Sequence, residues 1–226
     1  MFETYQPFKQ YRKIERGEFF LVFADTSAGG ADYNACVFLS KTNIDVPLVY
    51  HSKGVATNMT NALFPVIERL YDVTRIKPTV AYEVNAGGIF ELERLNTLNR
   101  LGKYDIYVQK AFGRIGADIS NRIGWNTNAA TRPHMLSDLK NALDTKTLGV
   151  YDREIIEELY SFIINKQGKP VAENNANDDL VIALAGAFQM YQTEEKRLSL
   201  DIGGGVPYDK AHRTGKWGYY GFDKYK

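Results

Sequence analysis

One cysteine, three histidines and a formal net charge of +1 in 226 residues exclude several classes of protein at once. A lone Cys36 rules out an internal disulfide, and its place in the apolar run ACVFL makes it a small buried hydrophobe rather than a nucleophile. Near-neutral charge excludes a protein that coats nucleic acid by bulk electrostatics, because such domains carry a clear basic excess. No apolar run reaches membrane-spanning length, and the opening MFETYQPFKQYRKIERGE lacks the apolar stretch of a signal peptide. The chain is therefore expected in the cytosol, without a membrane partner. There is no internal repeat, no low-complexity block and no G-x-x-x-x-G-K-[ST] phosphate loop, so no ATPase motor is expected within it.

What is present is a chain that is 44% hydrophobic and 13% aromatic, long enough to bury a substantial core. From Glu18, EFFLVFAD is a continuous apolar run, the pattern of a strand buried on both faces. A Gly-Gly turn and a second apolar run follow, which predicts a hairpin, and VPLVYHSK predicts a third strand. In MTNALFPVIERLYDVTRI, residues Leu63, Val66, Ile67, Leu70 and Tyr71 fall at helical spacing. PTVAYEVNAGG reads as a strand ending at Glu83, IFELERLNTLNRL as a helix and KYDIYVQKAF as a strand. This order implies an α/β sheet with parallel members. Residues 113–128 read as a long polar loop, and TRPHMLSDLKNAL as a helix capped by Thr131. LGVY reads as a short strand, Asp152 as the cap of REIIEELYSFII, and NKQGKPVAENNAN as a loop before a last helix. The domain reading is an N-terminal extension over 1–17, one α/β domain over 18–195, and a basic Gly/Tyr-rich tail over 196–226.

Asp25 and Glu83 share a pattern: each stands where an apolar strand gives way to a Gly-containing loop. In open α/β sheets, ligands bind at the carboxyl ends of the strands. If these strands are neighbours, both acids point into one crevice. The sequence NNANDDLVIALAGA adds Asp178 and Asp179 at the start of a small-residue helix. Asn177 or Asp178 there can serve as a helix cap. The other reading is a metal site: acids from separate segments, with no His or Cys at ligand spacing, suit Mg²⁺ or Mn²⁺ and not zinc. Two such ions about 3.5–4 Å apart are common machinery for phosphodiester hydrolysis. Asp179 lies one and two turns before Ala183 and Gly186, small residues that let this face approach the sheet, which favours it as the inner ligand over Asp178. Asp32 reads as a turn residue, and His51 and His134 as structural. Three basic clusters stand out: Lys9, Arg12, Lys13 and Arg16; Lys110, Arg114, Arg122 and Arg132; and Lys210, His212, Arg213, Lys216, Lys224 and Lys226. The middle cluster flanks the long loop and supplies the candidates for phosphate contacts.

The segments ADTSAGGADYNA, AYEVNAGG, GWNTNAATRPHMLSDLKNAL and NANDDLVIALAGA, in this order, resemble the nuclease domain of the large subunit of tailed-phage terminases over roughly residues 18–193. The resemblance implies an RNase H-like mixed β-sheet flanked by helices on both faces. It also implies an endonuclease that cleaves double-stranded DNA during genome packaging with two Mg²⁺ or Mn²⁺ ions. Asp25 is similar to the family's first-strand aspartate, Glu83 to its fourth-strand acid, and Asp178–Asp179 to its final acidic motif; Asn177 stands where relatives commonly carry His. Partners implied are DNA, an ATPase domain, the small terminase subunit and the portal protein, in a phage-infected host cytoplasm. Two rival readings are a junction resolvase or RNA-strand nuclease on the same fold, and a noncatalytic binding module whose acids are only caps and turns.

Overall fold

The structure, a computed structural model, describes residues 7–27, 33–110, 121–164, 170–172 and 177–201. Its centre is the strand predicted from EFFLVFAD: β2 (Phe20–Asp25) follows a short β1 (Phe8–Gln10) and pairs antiparallel with β3 (Tyr33–Ser40). β3 in turn pairs antiparallel with β4 (Asp45–Lys53). Helix α1 (Ala56–Thr74) crosses over, so that β5 (Thr79–Tyr82) enters parallel to β2 on its other side. Helix α2 (Gly88–Leu98) leads to β6 (Asp105–Ile106), parallel to β5. The order is β1-β4-β3-β2-β5-β6, and β9 (Gly149–Val150) joins β4 in parallel to complete a seven-stranded mixed sheet.

Alternation along the strands divides the core in two. Phe20, Val22 and Ala24 face α1 and α2, together with Cys36, Phe38, Leu63, Ile67 and Leu92. Leu21 and Phe23 face the opposite layer, where Ala35, Val37 and Ala81 meet α3 (Thr131–Asp144), α4 (Arg153–Ser161) and α5 (Asp179–Asp201). The expected mixed sheet with helices on both faces is thus the observed one. Cys36 is fully buried and burial pushes its thiol up, as a small core hydrophobe requires. Among the described residues, no helix is long and apolar enough to cross a membrane.

Several local expectations change. Part of the predicted loop over 113–128 is strand: β8 (Asn121–Ile123) pairs with β7 (Val108–Lys110) as a two-stranded ribbon. The helix expected over REIIEELYSFII stops at Ser161, and its last three residues form β10 (Phe162–Ile164), which pairs with β11 (Pro170–Ala172) from the loop expected before α5. Thr131 is the first residue of α3 and not its cap; the Asn128 side chain accepts the N–H groups of Ala130 and Thr131 instead. Asp152 does cap α4, its carboxylate accepting the Ile155 N–H at 2.8 Å. The segment read as an N-terminal extension is woven into the domain, with β1 paired to β4 and both Phe8 and Ile14 in the core. At the other end, α5 continues to Asp201, past the compositional change at 195. Asp32, Arg114 and the basic residues from Lys210 to Lys226 lie outside the described residues.

Candidate metal centre

Asp25 is the last residue of β2, and Glu83 is the residue after β5. The Glu83 N–H donates to the Ala24 carbonyl at 2.8 Å, extending the parallel ladder by one residue and bringing the two acids side by side. On its other side, Glu83 forms a bridge with Trp125, whose N–H donates to the Tyr82 carbonyl at 2.9 Å. The Glu83 backbone is therefore gripped between two strands. Parity places both side chains on the α5 face of the sheet: Asp25 follows Leu21 and Phe23, and Glu83 follows Ala81.

Gly88 makes the turn after Glu83 possible. A Cβ at this position would lie 1.8 Å from the Glu83 carbonyl oxygen, so only glycine allows α2 to begin directly against the strand end. Asn85 steadies the same turn, donating from Nδ2 to the Thr127 carbonyl at 2.6 Å and to Glu83 Oε1 at 3.4 Å.

Helix α5 brings the second pair of acids. Ala183 and Ala187 are fully buried, and a Cβ on Gly186 would lie within 2.5 Å of three atoms of the Phe23 ring. The small-residue face thus presses onto the strand that ends in Asp25, as the sequence pattern predicts. Asp179 opens the helix two turns earlier. The carbonyl of Asp178 accepts the Ile182 N–H at 2.8 Å, while its carboxylate forms an ion pair with the Arg132 guanidinium from α3. Arg132, a candidate for phosphate contact, makes this ion pair from a partly exposed position. Arg122 is exposed on β8, and Lys110 ends β7 with its side chain outside the described residues. Of the first basic cluster, Lys9 pairs with Glu154, Lys13 with Glu15, and Arg12 with Glu18 and Asp45.

The electrostatics mark these acids. Burial pushes the Asp25 carboxyl well above the usual aspartate range; the Glu83 charge and a hydrogen bond between the two carboxyls add to it, followed by the charges of Asp179 and then Asp178. The strongest charges acting on Asp25 are all negative. Among the described residues, Asp25 and Glu83 are in direct contact, but no three acids converge into a ligating cluster. The donor set is nonetheless all oxygen and of one sign, which fits a hard divalent cation and not a thiolate- or imidazole-bound metal.

One acid escaped the sequence reading. Glu158 on α4 is 9% exposed, and its Oε2 accepts the Val181 N–H at 3.1 Å. Burial pushes its carboxyl up to about 7, with the charges of Asp179 and Asp178 adding to the rise and bonds from Val181 and Leu180 opposing it. Its signal was an acid three residues after the buried Ile155, on the inward stripe of α4. His51 lies elsewhere on the sheet, stacked on Tyr33 at 4.3 Å and bonded through Nδ1 to Glu154 at 2.8 Å. His134 is exposed on α3, and Trp125 packs in the core with Nε1 directed at Met135 Sδ.

No protein-family profile matches the chain, and no curated protein matches it. Solved structures do. The large terminase nuclease from thermophilic phage G20c with bound magnesium superposes with a TM-score of 0.55 at 16% identity, over 80% of this chain and 84% of that one. The P22 large terminase nuclease domain gives 0.51 at 16% identity, over 81% and 87%. The human cytomegalovirus terminase nuclease domain, soaked with manganese and carrying an inhibitor, gives 0.52 at 11% identity, over 76% and 82%. At these identities the likeness establishes the fold: this chain has the RNase H-like fold of large-terminase nuclease domains.

Proposed function

We propose that this chain is a divalent-metal-dependent endonuclease that cuts double-stranded DNA during viral genome packaging. The observation that carries the reading is the Asp25–Glu83 pair at the carboxyl ends of two adjacent parallel strands, faced by the acidic start of α5. Asp25, Glu83 and Asp179 would hold the cation, with Asp178 as a further ligand and Mg²⁺ or Mn²⁺ as the ion. When bound, such ions activate the attacking water as Lewis acids and neutralise charge at the leaving 3′ oxygen, in the two-ion form of the reaction.

The chain's own residues do the rest. The ladder and the Trp125 bridge fix the Glu83 backbone, so its carboxylate meets Asp25 at one point on the sheet rim. Arg132 holds Asp178 through its ion pair and limits the repulsion within the aspartate pair. No side-chain nucleophile is needed. Arg122, with Lys110 and Arg114, would meet the DNA backbone as position-fixing contacts without sequence preference. In this reading the ATPase domain, the small terminase subunit and the portal are the working partners, in the cytoplasm of an infected host.

Plasmid cleavage with Mg²⁺, with Mn²⁺ and with EDTA tests the reading on the wild type, Asp25→Ala and Asp179→Ala. We expect metal-dependent nicking or linearisation that both substitutions reduce on the order of 10³-fold, the effect of removing several kcal/mol of charge stabilisation. Cleavage that survives both changes, or that neither metal supports, overturns it. Plain duplex, four-way junctions and RNA–DNA hybrids compared in the same assay separate this substrate from those of the rival nucleases.

A further inference from the structure

The first turn of α5 is held from outside its own sequence. A helix start leaves several N–H groups without intrahelical partners, and the usual remedy is a Ser, Thr, Asp or Asn at the cap. Here the Val181 N–H donates to Glu158 Oε2 at 3.1 Å, and Leu180 also bonds to this carboxylate. Asp178, at the position from which a local cap would reach forward to these N–H groups, has its carboxylate on Arg132. The α4 acid thus takes over the capping work that Asp178 would otherwise do, while Asp178 is held by Arg132.

We propose that Glu158 is a positioning residue of the acidic site: through the Leu180 and Val181 N–H groups it sets where Asp178 and Asp179 stand relative to Asp25 and Glu83. The inference rests on the metal-site reading above. Three features carry it. The Glu158 side chain is buried between α4 and α5, so its reach is fixed by packing. Its backbone is tied as well, the Glu158 carbonyl accepting the Ser161 hydroxyl at 2.7 Å. And its two partners immediately follow Asp179, so a shift of about 1 Å at the cap passes directly to the acids, enough to cost orders of magnitude in a site of fixed geometry. For helix capping alone a neutral acceptor suffices, and a third negative charge beside an aspartate pair is a poor choice. Length is what the side chain supplies: an acceptor that spans from one helix to the next, as a glutamine also would and an aspartate would not.

The test is Mn²⁺ binding by the whole chain, followed by electron paramagnetic resonance of the free ion. Variants are Glu158→Gln, which keeps the acceptor and its reach, Glu158→Asp, which shortens the reach, and Glu158→Leu, which removes the acceptor; Asp25→Asn serves as the site control. We expect Asp25→Asn to lose binding, Glu158→Asp and Glu158→Leu to weaken it about 10-fold, and Glu158→Gln to stay within about 3-fold of wild type, as for an outer-shell partner. If Glu158→Leu does not fold, the contrast between Asp and Gln decides. Wild-type affinity in Glu158→Asp, with Asp25→Asn still defective, overturns the positioning role alone. Wild-type binding in Asp25→Asn overturns the site reading and this inference with it.

Discussion

At one end of β2, Glu18 accepts both Arg12 NH groups, the Ser40 hydroxyl, the Asn43 amide and the Glu15 N–H, all between 2.6 and 3.1 Å. At the other end, Asp25 meets Glu83, with Asp179 and Asp178 beyond. Burial pushes both carboxyls up. At Glu18 the bonds from Arg12, Glu15 and Ser40 outweigh it and hold the group below the usual glutamate range, whereas at Asp25 the charges of Glu83, Asp179 and Asp178 add to the rise. The same strand thus carries a satisfied acid and a frustrated one. A satisfied buried acid is architecture; a frustrated one, on a rim where two strands end, is what the proposed metal-site reading calls for.

The contrast breaks most forcefully at Arg12. Its guanidinium bonds Glu18 and Asp45 together, so Arg12→Met leaves two buried carboxylates without their cation. We expect a loss of about 3–5 kcal/mol in urea unfolding, with cleavage per folded molecule unchanged. Next in size is Gly186→Val, which drives two methyl groups into the Phe23 ring and should cost about 2 kcal/mol as overpacking. Because this contact seats α5 on β2, cleavage should fall even well below the melting temperature. The smallest effect sharpens the comparison through pH. A raised carboxyl pKa means that the folded chain keeps a proton the unfolded chain releases above about pH 3.9. Stability is then lost as pH rises from that value through the raised one. Asp25→Asn escapes this penalty and should melt higher than wild type in EDTA at neutral pH, the gain vanishing toward pH 4. Glu18→Gln should do the opposite, because the lowered Glu18 pKa contributes stability above about pH 4.3 that is lost only as pH falls. Melting curves of both variants at pH 4, 6 and 8 check the signs, and a lower Asp25→Asn melt in EDTA at neutral pH would contradict the frustrated-acid picture.

Much of this was legible in the sequence because its signals are local. Strand-ending Asp25 and Glu83, the small stripe from Ala183 to Ala187 and the Asp152 cap are each written within a few residues of where they act. What escaped depends on partners far along the chain. Arg12 looks like part of a basic surface until Asp45, 33 residues away, is placed beside it. Glu158 sits on the inward stripe of α4, but the use of an acid there shows only when α5 packs against α4 and supplies its N–H groups. Arg132 looks unpaired in the sequence until Asp178, 46 residues on, is placed beside it. The three-residue strands β1, β8, β10 and β11 are too short for alternation to show, and it is pairing that makes them strands.

β4 is nine residues long and its outer side is divided among small pieces: β9 on Asp45 and Val46, β1 on Leu48 to Tyr50, and the Pro7 carbonyl accepting the His51 N–H. Between them lies Pro47, which has no N–H to offer and whose carbonyl is already taken by Tyr11 at 2.8 Å. A long bare strand is a template on which a second chain can add a strand and begin to aggregate. Here that template is tiled over by one segment from before β2 and one from between α3 and α4, and the proline breaks its hydrogen-bonding rhythm at the seam between the tiles.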